Sequence, residues 1–248
     1  MIMSNSSLVN YTKISPNKTS PRNHAIDTIT IHCMAGDLSV ETCGNVFAPT
    51  SRQASSNYGI GSDGRIGMYV EEKDRSWCSS SASNDNRAIT IEVANDGGES
   101  TGWHVSDKAY NALINLVTDI CKRNGIKKLL WKGDKSLIGQ VDKQNMTVHR
   151  WFAAKSCPGD YLYNRHSDIA NKVNAKLGAT TEQPSVSGSY LVRVTADALN
   201  IRSGPGTSYS ITGSIKDQGV YTIVQTSGNW GKLKSGAGWI CLDYTTRV

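Results

Sequence analysis

The sequence has no long apolar run, and this absence excludes the simplest membrane proteins. No segment approaches the roughly 18–20 apolar residues that a helix needs to span a bilayer. The first residues, MIMSNSSLVNYTK, contain no positively charged stretch followed by an apolar core, so they predict no secretory signal. We therefore expect a soluble protein that is made in the cytoplasm of its host.

Cysteine is too sparse for a disulfide framework. The six cysteines are spread irregularly over 248 residues, whereas disulfide scaffolds belong to short, cysteine-dense secreted chains. We expect most of them to be reduced thiols. A pairing among Cys33, Cys43 and Cys78 remains open at this stage.

The chain also lacks a block of lysine and arginine that would favour nucleic acid. Its 27 basic and 21 acidic residues leave a net charge of +6, a mild excess that favours anionic partners such as an acidic polymer. A solvated basic surface without a partner is the alternative. We expect no nucleic-acid partner.

One segment without apolar periodicity divides the chain. The stretch GATTEQPSVSGS is rich in Ser, Thr, Gly and Pro, as linkers are. Strand and helix signals precede it, and only strand and turn signals follow it. The predicted organisation is a first domain at 1–178, a linker at 179–189 and a small second domain at 190–248.

The first domain alternates strand and helix patterns. DTITIH (27–32) and AITIEVA (88–94) are β-branched runs typical of buried strands. Residues 106–125 and 159–178 carry apolar stripes at helical spacing, the first opening on Ser106 and both ending in glycine. These patterns predict an α/β fold with a mixed central β-sheet flanked by helices.

The second domain has strand and turn signals alone. Short alternating segments such as GVYTIVQTSGNWGKL are separated by Gly, Ser and Asn turns, which predicts a small all-β barrel. Its 6 basic residues against 3 acidic ones carry half of the net charge of +6.

Only five histidines are present, so each can be considered. His166 lies on a helical apolar stripe and is predicted to be a core residue. His24 and His104 are predicted at the surface. His32 is the last residue of a predicted strand and is followed by a loop, the place where α/β folds carry catalytic and binding residues. His149 precedes another loop.

The segment MTVHRWFAAKSCPGDYL places His149 eight residues before Cys157. Together with His32 they are a plausible three-ligand zinc set, because zinc binds imidazole and thiolate and a catalytic site leaves one position open. Glu92 lies in the middle of an apolar strand, where an unpaired carboxylate is costly to bury. It has either a functional role or a salt-bridge partner.

Four motifs in this order resemble a known family. ITIHCMAG, SSNYGIGSDGRIGMYVEE, AITIEVAND and VHRWFAAKSCPG are similar to the zinc-dependent N-acetylmuramoyl-L-alanine amidases, which are related to the peptidoglycan recognition proteins and include phage and prophage endolysins. The resemblance covers roughly residues 20–178. LNIRSGPGTSYSITGSI, GNWGKL and GWICLDY in the tail resemble bacterial SH3-type wall-binding domains.

The resemblance implies a Zn²⁺ cofactor and a set of catalytic residues. The implied zinc ligands are His32, His149 and Cys157. Glu92 is implied as the general base, Lys155 as a stabiliser of the oxyanion, and Tyr58 as a hydrogen-bond donor beside the metal. The relative importance of Glu92 and Tyr58 stays open.

Substrate contacts are predicted at Trp77 and His104. Many relatives carry histidine where this chain has Cys78, a change that affects contacts near Trp77 but no zinc ligand. Cys33 alternates with His32 along its strand and is therefore expected to point into the core.

In the tail, several residues could line a groove for the cell wall. The predicted wall-binding residues are Arg202, Tyr209, Trp230 and Trp239, with Tyr244 as a further candidate. The alternative is that Trp230 and Trp239 fill the core of the barrel.

Three functional hypotheses follow from these residues. The first is a zinc amidase that hydrolyses the peptidoglycan of a Gram-positive wall and reaches it from the host cytoplasm through a holin pore, without inserting into the membrane itself. The second is a recognition protein that binds peptidoglycan without cleaving it. The third is a cysteine hydrolase that uses Cys157 with His149 as its base. The oligomeric state is not indicated.

Overall fold

The computed structural model describes residues 5–178, 189–207, 209–227 and 229–248. The chain divides into two compact units, Met1–Thr180 and Thr181–Val248, and each has its own hydrophobic core. The predicted linker lies outside the described residues, apart from Ser189. Within the described residues, no helix is long and apolar enough to cross a membrane.

The first unit is built on a mixed six-stranded sheet. The strand order is β1-β5-β4-β7-β3-β8, in which β4, β7, β3 and β8 are parallel neighbours and β4 is antiparallel to β5. A separate pair, β2 and β6, is antiparallel. The strands are β1 Tyr11–Thr12, β2 Lys18–Thr19, β3 Thr28–Cys33, β4 Tyr58–Ile60, β5 Ile66–Met68, β6 Arg75–Ser76, β7 Ala88–Val93 and β8 Met146–Val148.

Five helices accompany this sheet. They are α1 Val40–Phe47, α2 Ala82–Arg87, α3 Asp107–Arg123, α4 Gly159–Tyr163 and α5 His166–Leu177. Ser106 caps α3 through a hydrogen bond from the Ala109 N–H, as predicted. The single helix predicted for 159–178 is wrong, because the chain breaks between α4 and α5. The Leu162 carbonyl accepts from the Arg165 N–H and lies 2.8 Å from Nδ1 of the His166 ring, and this replaces the helical pattern at that turn.

Alternation along the two central strands gives the sheet two different faces. Ile29 and Ile31 of β3 join Ile89 and Ile91 of β7 in the core that includes α3 and α5. The alternate positions are polar, and Thr30 hydrogen-bonds Thr147 of β8 on this second face. His32 of β3 and Glu92 of β7 therefore lie on the same polar face of the sheet.

The second unit is an all-β domain, as predicted. Its antiparallel sheet has the order β11-β10-β14-β13-β12-β9-β15. The strands are β9 Tyr190–Val194, β10 Leu199–Arg202, β11 Ile211–Ile215, β12 Val220–Ser227, β13 Trp230–Leu233, β14 Trp239–Cys241 and β15 Thr245–Arg247. Its hydrophobic cluster is aliphatic, with residues such as Val194, Ile223 and Ile240 fully buried. Neither tryptophan belongs to this cluster, but Trp239 is buried, as the core interpretation expects, whereas Trp230 is only partly buried.

Candidate metal centre

His32 and Glu92 stand side by side on the polar face of the sheet. The parallel register of β3 and β7 pairs the two residues directly. Both lie near the carboxyl ends of their strands, the edge at which open α/β sheets bind ligands. His32 has no solvent-exposed surface. The pairing of these two strands thus places the His32 imidazole beside the Glu92 carboxyl group.

His149 and Cys157 reach the same place from the other side of β3. β8 is the neighbour of β3, and His149 follows directly after it in a short turn. The Arg150 N–H donates to the Cys157 carbonyl at 3.1 Å, which closes the loop between them. The Cys157 Sγ lies 3.4 Å from the His32 Nδ1, and the rings of His32 and His149 are 5.0 Å apart. The ligand atoms of all three residues lie within 4.8 Å of one another.

This geometry fits a zinc ion. Zinc binds nitrogen at about 2.0–2.1 Å and sulfur at about 2.3 Å, so a nitrogen and a sulfur on one tetrahedral ion lie about 3.6 Å apart. The observed separation of 3.4 Å between Cys157 Sγ and His32 Nδ1 is close to this value. The His149 Nε2 lies 3.2 Å from the Ser80 hydroxyl, an interaction that would orient the ring with Nδ1 left for a metal.

The protonation states also suit a cation. Burial lowers the pKa of His32 to about 3 and lowers that of His149, so both imidazoles are neutral and carry a free lone pair. A hydrogen bond with Cys33, and then burial, raises the pKa of Cys157. The Cys157 thiolate therefore needs a bound cation to become the stable form.

The contact between Cys33 and Cys157 corrects one prediction. Strand alternation placed Cys33 in the core, but it is only partly buried. Its backbone N–H donates to the Cys157 Sγ at 3.4 Å. The alternation rule fails because Cys33 is the last residue of β3 and meets the Cys157 loop.

Glu92 has little compensation for its burial. Burial raises its pKa to about 8. Its Oε1 lies 3.8 Å from the Cys78 Sγ, and its Oε2 has no hydrogen-bond partner among the described residues. No basic side chain of the described residues lies within 4 Å of it, so the salt-bridge interpretation is not supported. In the metal-free protein this carboxyl group is therefore mostly protonated at neutral pH, and a cation bound beside it would favour the ionised form that can accept a proton.

Lys155 lies on the exposed part of the loop between His149 and Cys157. Its positive charge is close enough to lower the pKa of His149. Its ammonium group can therefore approach a substrate at the metal from the solvent side. Ser80, beside His149, was not predicted, since no sequence signal connects it with a residue 69 positions away.

The predicted role of Tyr58 beside the metal is wrong. β4 pairs Tyr58 with Ile91 and Gly59 with Glu92, so the Tyr58 ring lies on the face opposite to Glu92. Its hydroxyl donates to Glu72 at 2.7 Å, and the side chain is fully buried. Tyr58 is thus a structural residue of the hydrophobic core.

Comparisons with known proteins identify the family. Residues 22–160, more than half of the chain, match the N-acetylmuramoyl-L-alanine amidase family. The chain belongs to this amidase family. Residues 197–245 match the bacterial SH3 domain. The family and the two kinds of fold expected from the sequence are thereby confirmed.

Relatives resemble parts of this chain over different lengths. The curated protein YrvJ of Bacillus subtilis (strain 168), which carries the same amidase name, is 40% identical over 45 residues. This match covers 18% of the chain and only 9% of YrvJ. Among solved structures, an AmpD derivative shares 16% identity with a TM-score of 0.49, covering 68% of this chain and 99% of that one. The endolysin amidase LysCS of Clostridium intestinale URNW shares 17% with a TM-score of 0.43, covering 69% and 94%.

Trp77 and His104, the predicted substrate contacts, are not among the possible metal ligands. The Trp77 indole N–H donates to the Thr19 hydroxyl at 3.0 Å, although Trp77 immediately precedes Cys78. His104 hydrogen-bonds Asp96 through Nδ1 and stands edge-on to Tyr161. His166 is fully buried, as predicted.

The predicted wall-binding residues of the bacterial SH3 domain differ in exposure. The Arg202 guanidinium donates to the carbonyls of Thr207 and Tyr209, each at 2.8 Å, so it holds a loop. Trp239 is only 9% exposed, which leaves it little surface for a ligand, and its predicted wall contact does not fit. Tyr209 and Tyr244 are 47% and 54% exposed and remain candidates, as does the partly buried Trp230.

Proposed function

We propose that this protein is a zinc-dependent peptidoglycan hydrolase that cleaves the amide bond between N-acetylmuramic acid and the L-alanine of the stem peptide. The observation that carries the proposal is the convergence of His32, His149 and Cys157 beside a buried carboxylate. Membership of the amidase family supports the same bond as the target.

The residues present divide the chemistry between them. When bound by the three ligands, zinc would supply a Lewis acid and lower the pKa of a bound water. Glu92 would accept the proton of the attacking water at a carboxylate oxygen and pass it to the leaving amine of alanine. Lys155 would stabilise the negative charge that develops on the carbonyl oxygen.

The bacterial SH3 domain would hold the enzyme on its substrate. It carries half of the net charge of +6, and anionic wall polymers attract such a domain. Two exposed tyrosines, Tyr209 and Tyr244, offer aromatic surface. We propose that this domain binds a Gram-positive wall and raises the local concentration of the amidase domain there.

We further propose that the protein acts as an endolysin of a phage or prophage, released from the host cytoplasm through a pore made by a holin. The pairing of a wall-degrading domain with a wall-binding domain supports this. Expression in the cytoplasm of a Gram-positive host should cause lysis only when a pore-forming protein is expressed with it. Lysis that does not depend on the pore would contradict this part of the proposal.

The main test uses purified Gram-positive cell walls. Turbidity is followed with and without a chelator, with zinc added back, while free L-alanine amino termini and reducing sugars are measured. We expect lysis that the chelator stops and zinc restores, with new alanine amino groups and no new reducing ends. E92Q should lower the rate at least about a hundredfold, the size of a general acid-base contribution. The matched control is E99Q, since Glu99 is exposed.

Two outcomes would replace the proposal. Walls that bind the protein but release no product at any zinc concentration would support a recognition protein. Activity that resists chelators but is lost to thiol alkylation would support the cysteine hydrolase. The raised pKa of Cys157 argues against a reactive thiolate in the absence of metal.

A further inference from the structure

A second group of possible metal ligands shares His32 with the first. One ligand atom each from His32, Cys78 and Glu92 lies within 4.8 Å of the other two. The Cys78 Sγ and the Glu92 Oε1 are 3.8 Å apart. Cys33, the other thiol near the site, belongs to neither group.

Two buried atoms in this second group lack partners. The Nε2 of His32 and the Oε2 of Glu92 have no hydrogen bond within the part of the chain that the structure describes. An unpaired buried polar atom typically costs about 1–3 kcal/mol. Two of them on neighbouring residues of paired strands are an independent indication that the group receives a ligand.

We propose that His32, Cys78 and Glu92 form an alternative ligand set for a thiophilic divalent ion. The set offers one nitrogen, one sulfur and one oxygen, all of which zinc accepts, and the thiolate disfavours magnesium and calcium. His32 is common to both sets: its Nδ1 lies 3.4 Å from the Cys157 Sγ, and its Nε2 has no partner among the described residues. A single ion can therefore leave His149 and Cys157 and move from Nδ1 to Nε2 of His32 as it joins Cys78 and Glu92. The Cys78 thiol loses its proton to solvent when the ion arrives.

This exchange would produce a metal-loaded but inactive protein. With an ion on its carboxylate, Glu92 can no longer accept a proton from water. This consequence for activity rests on the proposed function, whereas the metal binding itself does not. The alternative set therefore lowers activity in proportion to the fraction of molecules in which it holds the ion.

Cobalt binding to variants of the full chain tests the proposal. C157S removes the thiolate of the first set, and we expect it still to bind one Co²⁺ per chain with the near-ultraviolet absorption of a single thiolate ligand. C157S/C78S should bind Co²⁺ at least about tenfold more weakly and lose that absorption, since even residues behind a ligand change metal affinity 10–100-fold. C157S/E92Q should also bind more weakly. The matched control is C157S/C33S, which should keep both the ion and the absorption.

The outcomes separate this inference from the proposed function. A wild-type chain that binds no ion contradicts the zinc site and with it the proposed function. A wild-type chain that binds one ion while C157S binds none overturns the alternative set alone. Equal cobalt binding by C157S and C157S/C78S also overturns it. Circular dichroism of each variant shows whether it is folded, and C78S and E92Q test two different ligands of the same set.

Discussion

Replacing Arg123 by methionine tests how much its ion pair with the buried Glu72 carboxylate stabilises the amidase domain. Glu72 is fully buried, and Arg123 donates to both of its oxygens, at 2.9 and 2.5 Å. Tyr58 and Asn124 donate to the same carboxylate at 2.7 and 3.1 Å. R123M removes the positive charge while keeping most of the side-chain length.

The expected loss follows from the burial of the pair. Removing one partner of a buried ion pair costs about 3–5 kcal/mol because the other charge remains in a low-dielectric site. We expect about 3 kcal/mol, the lower end, because two hydrogen bonds to Glu72 survive. With a slope of about 2 kcal/mol per molar urea, the unfolding midpoint should fall by about 1.5 M.

The helical circular dichroism signal is the appropriate probe. All described α-helices belong to the amidase domain, so the signal follows this domain and not the bacterial SH3 domain. The double variant E72Q/R123M serves as control, because a neutral amide keeps polar contacts with Tyr58 and Asn124 without the buried charge. It should recover much of the lost stability. A loss below about 1 kcal/mol for R123M, or a double variant as unstable as the single one, would refute this reasoning.

Three further perturbations have defined outcomes. R22K should lower the free energy of unfolding by about 3 kcal/mol in urea titration, because the buried Arg22 guanidinium donates to five backbone carbonyls that an ammonium cannot all reach. His166 has its pKa lowered to about 4 by burial, so this residue should contribute a loss of about 3 kcal/mol of stability as pH falls from 6.5 to 4. H166L should remove that part of the dependence and leave the part due to His32 and His149. G159A should weaken zinc binding in a competition titration with a chromophoric chelator, because Gly159 has φ +77° and an added Cβ would collide with Trp103, shifting the Cys157 loop.

Each of these has a result that would count against it. Full stability of R22K would mean that the carbonyls are satisfied in another way. An unchanged pH dependence in H166L would assign the acid transition to other groups. Zinc affinity in G159A equal to that of the wild type would show that the loop absorbs the collision.

Much of the fold and the ligand set could be predicted from local patterns. The runs TITIHC and AITIEV alternate small polar and aliphatic residues, and this period of two assigns faces within a strand. This alternation puts His32 and Glu92 on the polar face of the sheet, where the structure has them, rather than in the apolar core. His149 and Cys157 were found because they lie on one short loop.

The errors concern relations between segments. Tyr58 is assigned to a face only by the register of β4 against β7, and a shift of one residue would reverse that face. The break between α4 and α5 depends on the His166 ring and the Leu162 carbonyl, which helical periodicity does not encode. The approach of Cys33 to Cys157 depends on where a loop 124 residues away returns.

The N-terminal segment has a consequence for how this enzyme can be recombined with other modules. Residues 5–21 precede the family match, which begins at residue 22, yet β1 forms the edge of the main sheet against β5. The Ser6 N–H also donates to the Tyr58 hydroxyl. A hybrid protein cut at residue 22 would expose the backbone of β5 as a new sheet edge, which invites aggregation. The natural unit for transplantation therefore starts before the region that matches the family and includes this strand.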